Sequence, residues 1–327
     1  MINKMRGLGW IAGVGICSLV TACGAAEGGS DSGESFPSDT VSIVVPYAAG
    51  GPNDVVARAL APCLAQAVDG TVVVENVEGG GGAIGASQVA QAKPDGHTLG
   101  LMPPQGSLVL LPMVQDVGYS FEDFTPIADT YFAPSALFVR SDSPHESFED
   151  LVAAAKAKPN SVTIGNSGAG TVFDLETRHL ASAYDVPVKS IPFNGGAEAQ
   201  AALLGNNVDA LYSLADQGRL SAVEAGELRA LVTGAPEPVE LLPGVPSFAE
   251  AGFEDLVNSS ATFTLVGPSG LPEGIRGTLT SATTDCLTDE AVVKALGADY
   301  IPESPATGNA LEDELAKTRD NLTPLVD

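Results

Sequence analysis

The sequence predicts an α/β protein with two lobes, on three observations. Short β-branched runs alternate with apolar, helix-periodic segments at close spacing, as right-handed βαβ units of a parallel sheet require. The alternation restarts near Ser147 with no long linker before it, so the chain crosses between lobes more than once. Several strand ends run into loops of glycine and other small residues, and in open parallel sheets such loops line the ligand crevice.

Taken in order, the N-terminus reads as an export signal. Lys4 and Arg6 precede an uncharged, mostly apolar stretch, Gly7 to Ala22, too short for a comfortable membrane span. It ends in LVTACG, which resembles the bacterial lipobox, so residues 1–22 are expected to be removed and Cys23 to carry lipid. Such a chain is extracytoplasmic and anchored to the cell membrane. Residues 23–39 are small, polar and acidic, as a flexible tether would be. Of the four cysteines, Cys17 leaves with the signal and Cys23 is lipidated. Cys63 and Cys286 remain, and an oxidising compartment favours a disulfide between them over two buried thiols.

The first strand is Ile43 to Val45, and Pro46 ends it. Ala48 to Gly51 forms a loop with little side chain, Asn53 reads as a helix N-cap, and Asp54 and Arg58 stand at i and i+4. Thr71 to Glu75 is a second strand, followed by glycines and a helix near Ala83 to Ala92. A Pro94-Asp95-Gly96 turn leads to a third strand, His97 to Met102. Ser135 to Val139 is another strand. The second block has a helix from Phe148 opened by Ser147, strands at Val162 to Gly165, Val188 to Pro192 and Val208 to Ser213, and helices from Val172 and Ala197. Leu228 to Thr233, Thr262 to Gly267 and a helical region from Glu273 to Leu296 follow.

A formal net charge of −26 argues against nucleic acid and anionic membrane surfaces as electrostatic partners. It does not exclude a small anion, because a site can be locally positive inside an acidic protein. Four loops share a strand-to-small-residue design: Tyr47 to Asp54, Pro104 to Ser107, Asn166 to Thr171 and Asn194 to Gly196. Three lead directly into a helix, presenting unpaired N–H groups at the positive end of its dipole, a seat for a carboxylate. The candidate ligand-binding residues are Tyr47, Ala48, Gly50, Gly51, Asn53, Asp54, Gln105, Ser107, Ser167, Gly168, Gly170, Thr171, Asn194, Gly195, Gly196 and Asp216. Asp54 reads equally as a ligand contact or as a helix-start charge paired with Arg58.

Other chemistries have less support. Gly80, Gly82 and Gly85 match the spacing of a dinucleotide fingerprint, yet no acidic ribose ligand follows the next strand, and a tight glycine turn accounts for them. Gly165 to Ala169 misses the nucleophile elbow by one position. His97, His145 and His179 share no ligand spacing, so neither a metal site nor a catalytic triad is expected. An enzyme using Asp54 as base would need a second titratable group that these loops do not offer, so no catalytic residue and no cofactor is expected.

The segments IVVPYAAGGPNDVVAR, TVVVENVEGGGGAIGASQVAQAKPDGHTL, LVAAAKAKPNSVTIGNSGAGT, IPFNGGAEAQAALLGNNVDALYS, GELRALVTG, LPGVPSFAEAGF and LVGPSGLPEG together carry a resemblance. Over about Val41 to Leu296 the chain resembles the substrate-binding proteins of tripartite tricarboxylate transporters, the Bug family. That resemblance implies a two-lobed fold like type II periplasmic binding proteins, with a ligand cleft between lobes. It also implies a receptor, expected to be monomeric, that captures a small organic acid by hinge closure and delivers it to the transporter's membrane subunits. The rival role is a sensor that presents its closed form to a signalling partner. Lobe 1 is expected to hold residues 40–139 and 220–327, and lobe 2 residues 140–219. The chain departs from its relatives at Ala49-Gly50-Gly51-Pro52, where Pro-Gly-Gly-Gly is usual, at Thr262, where an aromatic is common, and at Asn194, where Lys is frequent. These departures point to a different, less charged acid.

Overall fold

The structure is a computed structural model describing residues 36–193, 195–235, 239–256 and 259–326. The expected signal segment, Cys23 and Asn194 lie outside the described residues. In chain order, β1 (Val41–Val45), α1 (Pro52–Ala67), β2 (Val72–Asn76), α2 (Ala83–Ala90) and β3 (Thr98–Met102) wind one βαβαβ unit. After the short α3 (Leu110–Val114) comes β4 (Phe124–Ala133), then β5 (Ser135–Arg140) and α4 (Phe148–Ala157). A second βαβαβ unit follows: β6 (Thr163–Asn166), α5 (Val172–Ala183), β7 (Lys189–Pro192), α6 (Gly196–Leu204) and β8 (Ala210–Leu214). The chain ends with α7 (Gln217–Glu224), β9 (Leu228–Thr233), β10 (Ala261–Pro268), α8 (Glu273–Cys286), α9 (Glu290–Leu296) and α10 (Gly308–Val326).

Among the described residues these strands form two five-stranded sheets, ordered β2-β1-β3-β10-β4 and β7-β6-β8-β5-β9. The orders are equivalent. In each, the βαβαβ strands are parallel, and two further strands pair antiparallel beyond the third. Covered on both faces, β1 is buried at four of its five positions, as its β-branched run requires.

The chain passes between the sheets at Pro134, not at residues 139 and 140, and returns after Thr233, not at residue 220. β5 pairs with β8 and β9, so Ser135 to Arg140 belongs to the second sheet, and so does β9. An apolar run buried on both faces reads alike in either sheet, which is why the sequence did not mark the border. The start of α1 also differs from expectation. Gly51 is the N-cap and Pro52 takes the first helical turn, where its missing N–H costs nothing. Asn53 is inside the helix and nine-tenths buried, its amide donating to Leu101 O at 3.4 Å. α4 starts as expected: Ser147 Oγ accepts from the Asp150 amide at 3.1 Å, and the Asp150 carboxylate accepts from the Ser147 amide at 3.0 Å.

Cys63 on α1 and Cys286 on α8 form a disulfide, tying together two helices of the first lobe. α10, which the sequence reading passed over, packs on β4 and α3 of the first lobe and on α5 of the second, burying Leu311, Leu315 and Leu322. Among the described residues, no helix is long and apolar enough to cross a membrane.

Candidate functional site

A cleft of about 900 Å³ lies between the lobes. The loops after β1, β2 and β3 line it from the first lobe, and those after β6, β7 and β8 from the second. Of the sequence candidates, Tyr47, Ala48, Gly50, Gly51, Asn53, Gln105, Ser167, Gly168, Gly170, Thr171, Gly195, Gly196 and Asp216 line this cleft. Two do not: Asp54 and Ser107 are turned into the protein behind it.

Asp54 holds the first loop. Its carboxylate accepts from the Gly50 amide at 2.8 Å and from Arg58 Nε at 3.0 Å, while Arg58 reaches on to Asn76 Oδ1 at 2.9 Å. Asn76 in turn donates to Tyr47 O at 3.1 Å. Burial opposes the Asp54 charge, but the hydrogen bonds from Arg58 and Gly50 outweigh it and hold the carboxyl below its ordinary value. The second lobe repeats the device. Asp174 accepts from the Gly170 amide at 2.8 Å and from Arg178 Nε at 3.1 Å, with Ser190 Oγ donating at 2.5 Å. In both lobes the acid is the third residue of its helix, the glycine four residues before it and the arginine four after. The amides of Gly50 and Gly170 are therefore engaged by the chain itself.

Ser107 is fully buried under the rim. Its amide donates to Tyr47 Oη at 3.2 Å and its carbonyl accepts from Tyr119 Oη at 2.6 Å. Burial pushes the Tyr47 phenol above its ordinary value. The glycine run after β2 fits against this pair. A Cβ on Gly82 would stand 2.8 Å from Ser107 Cβ and 3.3 Å from the Tyr47 ring, at a φ of +105° that side chains avoid. Close packing thus accounts for the fingerprint-like spacing of these glycines.

What remains to meet a ligand is mostly backbone. α1, α5 and α6 begin at the cleft with N-caps Gly51, Thr171 and Gly195, none of which makes a side-chain capping bond. Thr171 Oγ1 instead donates to Gly168 O at 2.8 Å. The first-turn amides of these helices are donors without intrahelical partners, at the positive end of each dipole.

Sequence reasoning missed Arg219, Glu78, Gln200, Ser213, Ser259 and three aromatic walls, Phe173, Phe193 and Phe263. Arg219 is 5% exposed; it pairs with Asp216, the N-cap of α7, and donates to Leu214 O and Gly196 O, each at 3.2 Å. A Cβ on Gly196 would come within 2.8 Å of its Nη2, so that glycine makes room for the guanidinium. The Asp-x-x-Arg spacing at a helix start was the available signal. Phe263 continues inward as a stack with Tyr131 and then Tyr300, ring centroids 5.2 Å apart at each step. Tyr300 Oη donates to Ala215 O at 3.0 Å.

Residues 56–318 match the model of the tripartite tricarboxylate transporter family receptor. The chain belongs to that family. A UPF0065 protein of Agrobacterium vitis is 32% identical to this receptor over 297 residues, covering 90% of this chain and 85% of the relative. Among solved structures, MatC of Rhodopseudomonas palustris with bound malate is 28% identical at a TM-score of 0.77, with 89% of this receptor and all of MatC aligned. A second protein of that organism, with adipate, is 25% identical at a TM-score of 0.76, covering 89% of this receptor and 97% of its own chain. The expected two-lobed fold of the periplasmic binding proteins is therefore the one observed.

Proposed function

We propose that this receptor works outside the cytoplasm, takes a small organic acid into the cleft, closes on it and delivers it to the membrane subunits of a tripartite tricarboxylate-type transporter. The observation that carries the reading is the convergence of the α1 start from one lobe with the α5 and α6 starts from the other. A carboxylate seated there bridges both lobes, so binding favours the closed arrangement and shifts the population toward it. The relatives that hold malate and adipate support an acid as the ligand class. The lobes turn about the crossings at Pro134 and after Thr233, and the lipobox-like LVTACG supports attachment through Cys23. In this reading the receptor acts as a monomer without cofactor, and Ala48, Gly51, Ser167, Gly168 and Gly195 approach the ligand through their backbone.

The test is a thermal-shift screen of mono-, di- and tricarboxylates, amino acids and aromatic acids. A ligand that binds only the folded receptor raises its melting temperature, by an amount that grows with concentration. At least one acid is expected to do so. If none does and a nucleotide does, the acid-receptor reading is wrong.

A further inference from the structure

The three helix starts that meet at the cleft are not held alike. α1 and α5 each carry a glycine, an acid and an arginine at four-residue steps, and the acid fixes the loop amide from within its own helix. α6 has an acid at the same place, Glu198, its third residue. Asn194 and Ala202, however, stand where the other two have glycine and arginine. We infer that Arg219 supplies the arginine from α7 instead, as the positioning residue that sets the α6 start for ligand binding. This inference rests on the acid-receptor reading.

The guanidinium is a three-way clasp. Nη2 donates to the carbonyl of Gly196, the first residue of α6, and Nη1 to that of Leu214, the last residue of β8, each at 3.2 Å. Nη1 also pairs with Asp216, the N-cap of α7, whose carboxylate accepts from the Arg219 amide at 3.0 Å. One planar group thus ties the loop after β7 to the loop after β8 in a fixed orientation. A trans peptide sets its C=O and the following N–H in opposite directions, so holding Gly196 O aims the Ala197 N–H away from the guanidinium. Gly196 and Ala197 both line the cleft, and that N–H is one of the first-turn donors without an intrahelical partner. Arg219 is 5% exposed, and a buried ion pair adds little net stability over apolar side chains of similar volume. What the guanidinium alone provides is the placement of its three partners. The equivalent joint of the first lobe, between the α2 start and the loop after β3, is made by packing Gly82 against Ser107 and Tyr47.

The experiment is hydrogen exchange on the acid-free full chain, with calorimetric titration by malate, adipate and any further acid of the thermal-shift screen that binds the parent. Arg219→Lys keeps a cation beside Asp216, but one ammonium replaces the two nitrogens that reach Leu214 O and Gly196 O. In this variant the first turn of α6 is expected to exchange about tenfold faster, with the α5 start unchanged, and the acid to bind about tenfold more weakly. Exchange at α6 equal to the parent's, or an unchanged affinity, overturns the inference and leaves the acid receptor standing. Gly196→Ala reaches the same clasp from its other side, since a Cβ there would lie 2.8 Å from Nη2. It is expected to weaken binding too, and the double variant to lose no more than the larger single loss, because both changes break one contact. Losses that multiply overturn the inference. If no acid of the screen binds the parent, the acid-receptor reading fails and the inference with it.

Discussion

Asp54 and Asp174 are carboxylates that the fold uses to shape the cleft without exposing them to it. Each sits in the first turn of a helix, takes the amide of the glycine four residues earlier, and is held by an arginine one turn on. Those contacts fix where the loop amides point, so the acid acts on ligand binding by positioning. Asp54 is 4% exposed and its carboxyl is held below the ordinary range, chiefly by Arg58 and Gly50 acting against burial. A depressed folded value means stability that is present above the unfolded value, about 3.9, and is lost as pH falls through the folded one. Asp54→Asn is therefore expected to cost about 1 kcal/mol in urea unfolding at neutral pH, a difference that shrinks as pH falls below about 4. A cost that stayed constant through acid pH would show that shape and not charge is at stake. The sequence displayed both residues at this position, Asp54 and Arg58, but left two roles open. Whether a short side chain turns outward to a ligand or back to its own loop depends on the loop's path, and no periodicity records that.

The elements show the same division between what local pattern specifies and what packing adds. The βαβαβ strands and helices were legible because short β-branched or apolar runs alternate with helix-periodic segments at close spacing. α10 was not, although Leu311, Leu315 and Leu322 lie on one stripe, because its polar residues dominate and its burial depends on two lobes being in place. This helix also creates a charge contact that no local rule anticipates. Glu314 on α10 stands beside Asp129 in the middle of β4, where Asp129 is 5% exposed and accepts from Thr264 Oγ1 at 2.6 Å. Burial, with Glu314 adding to it, pushes the Asp129 carboxyl up to about 7. An acid whose folded value is raised holds its proton more tightly in the folded state, so stability declines as pH rises from about 4 toward 7. Asp129→Asn retains the acceptor for Thr264, offers Glu314 a donor and never ionises. It is expected to melt about 2–5 °C higher than the parent at pH 8, with the gain disappearing near pH 4, as read by calorimetry. A gain of equal size at both pH values would rule out ionisation as its origin.

At the scale of the whole molecule, the two lobes are one architecture used twice, joined by two crossings and by α10, which packs on both. Hydroxyls gather where those crossings meet: Ser135, just past the first, shares a 2.6 Å hydrogen bond with Ser259 on the return, and Tyr212 of the second sheet joins Ser259 to Glu176. The Ser135 amide also donates to Ser260 Oγ at 3.2 Å, so side chain and backbone both tie the crossings together. Gly234 closes the group, its amide donating to Ser135 O at 3.0 Å. A Cβ placed there would lie 2.2 Å from Ser135 Oγ, 2.4 Å from Ser259 Oγ and 2.6 Å from Tyr212 Oη. Those atoms belong to both crossings and to the second sheet, so a methyl group must push the crossings apart instead of displacing one flexible side chain. Gly234→Ala is expected to cost about 1–3 kcal/mol of stability, the usual range for overpacking a filled interior. Under the proposed closure it should also lessen the contraction on acid binding in small-angle scattering, because the joint about which the lobes would turn has been wedged. Gly274→Ala supplies the control. Its Cβ would meet nothing within 4 Å, it lies in the first turn of α8, and alanine favours a helix over glycine. That variant should match or slightly exceed the parent in stability and contract as the parent does. If Gly234→Ala contracts fully on binding, the crossings do not set the closure, and the turning point lies elsewhere in the chain.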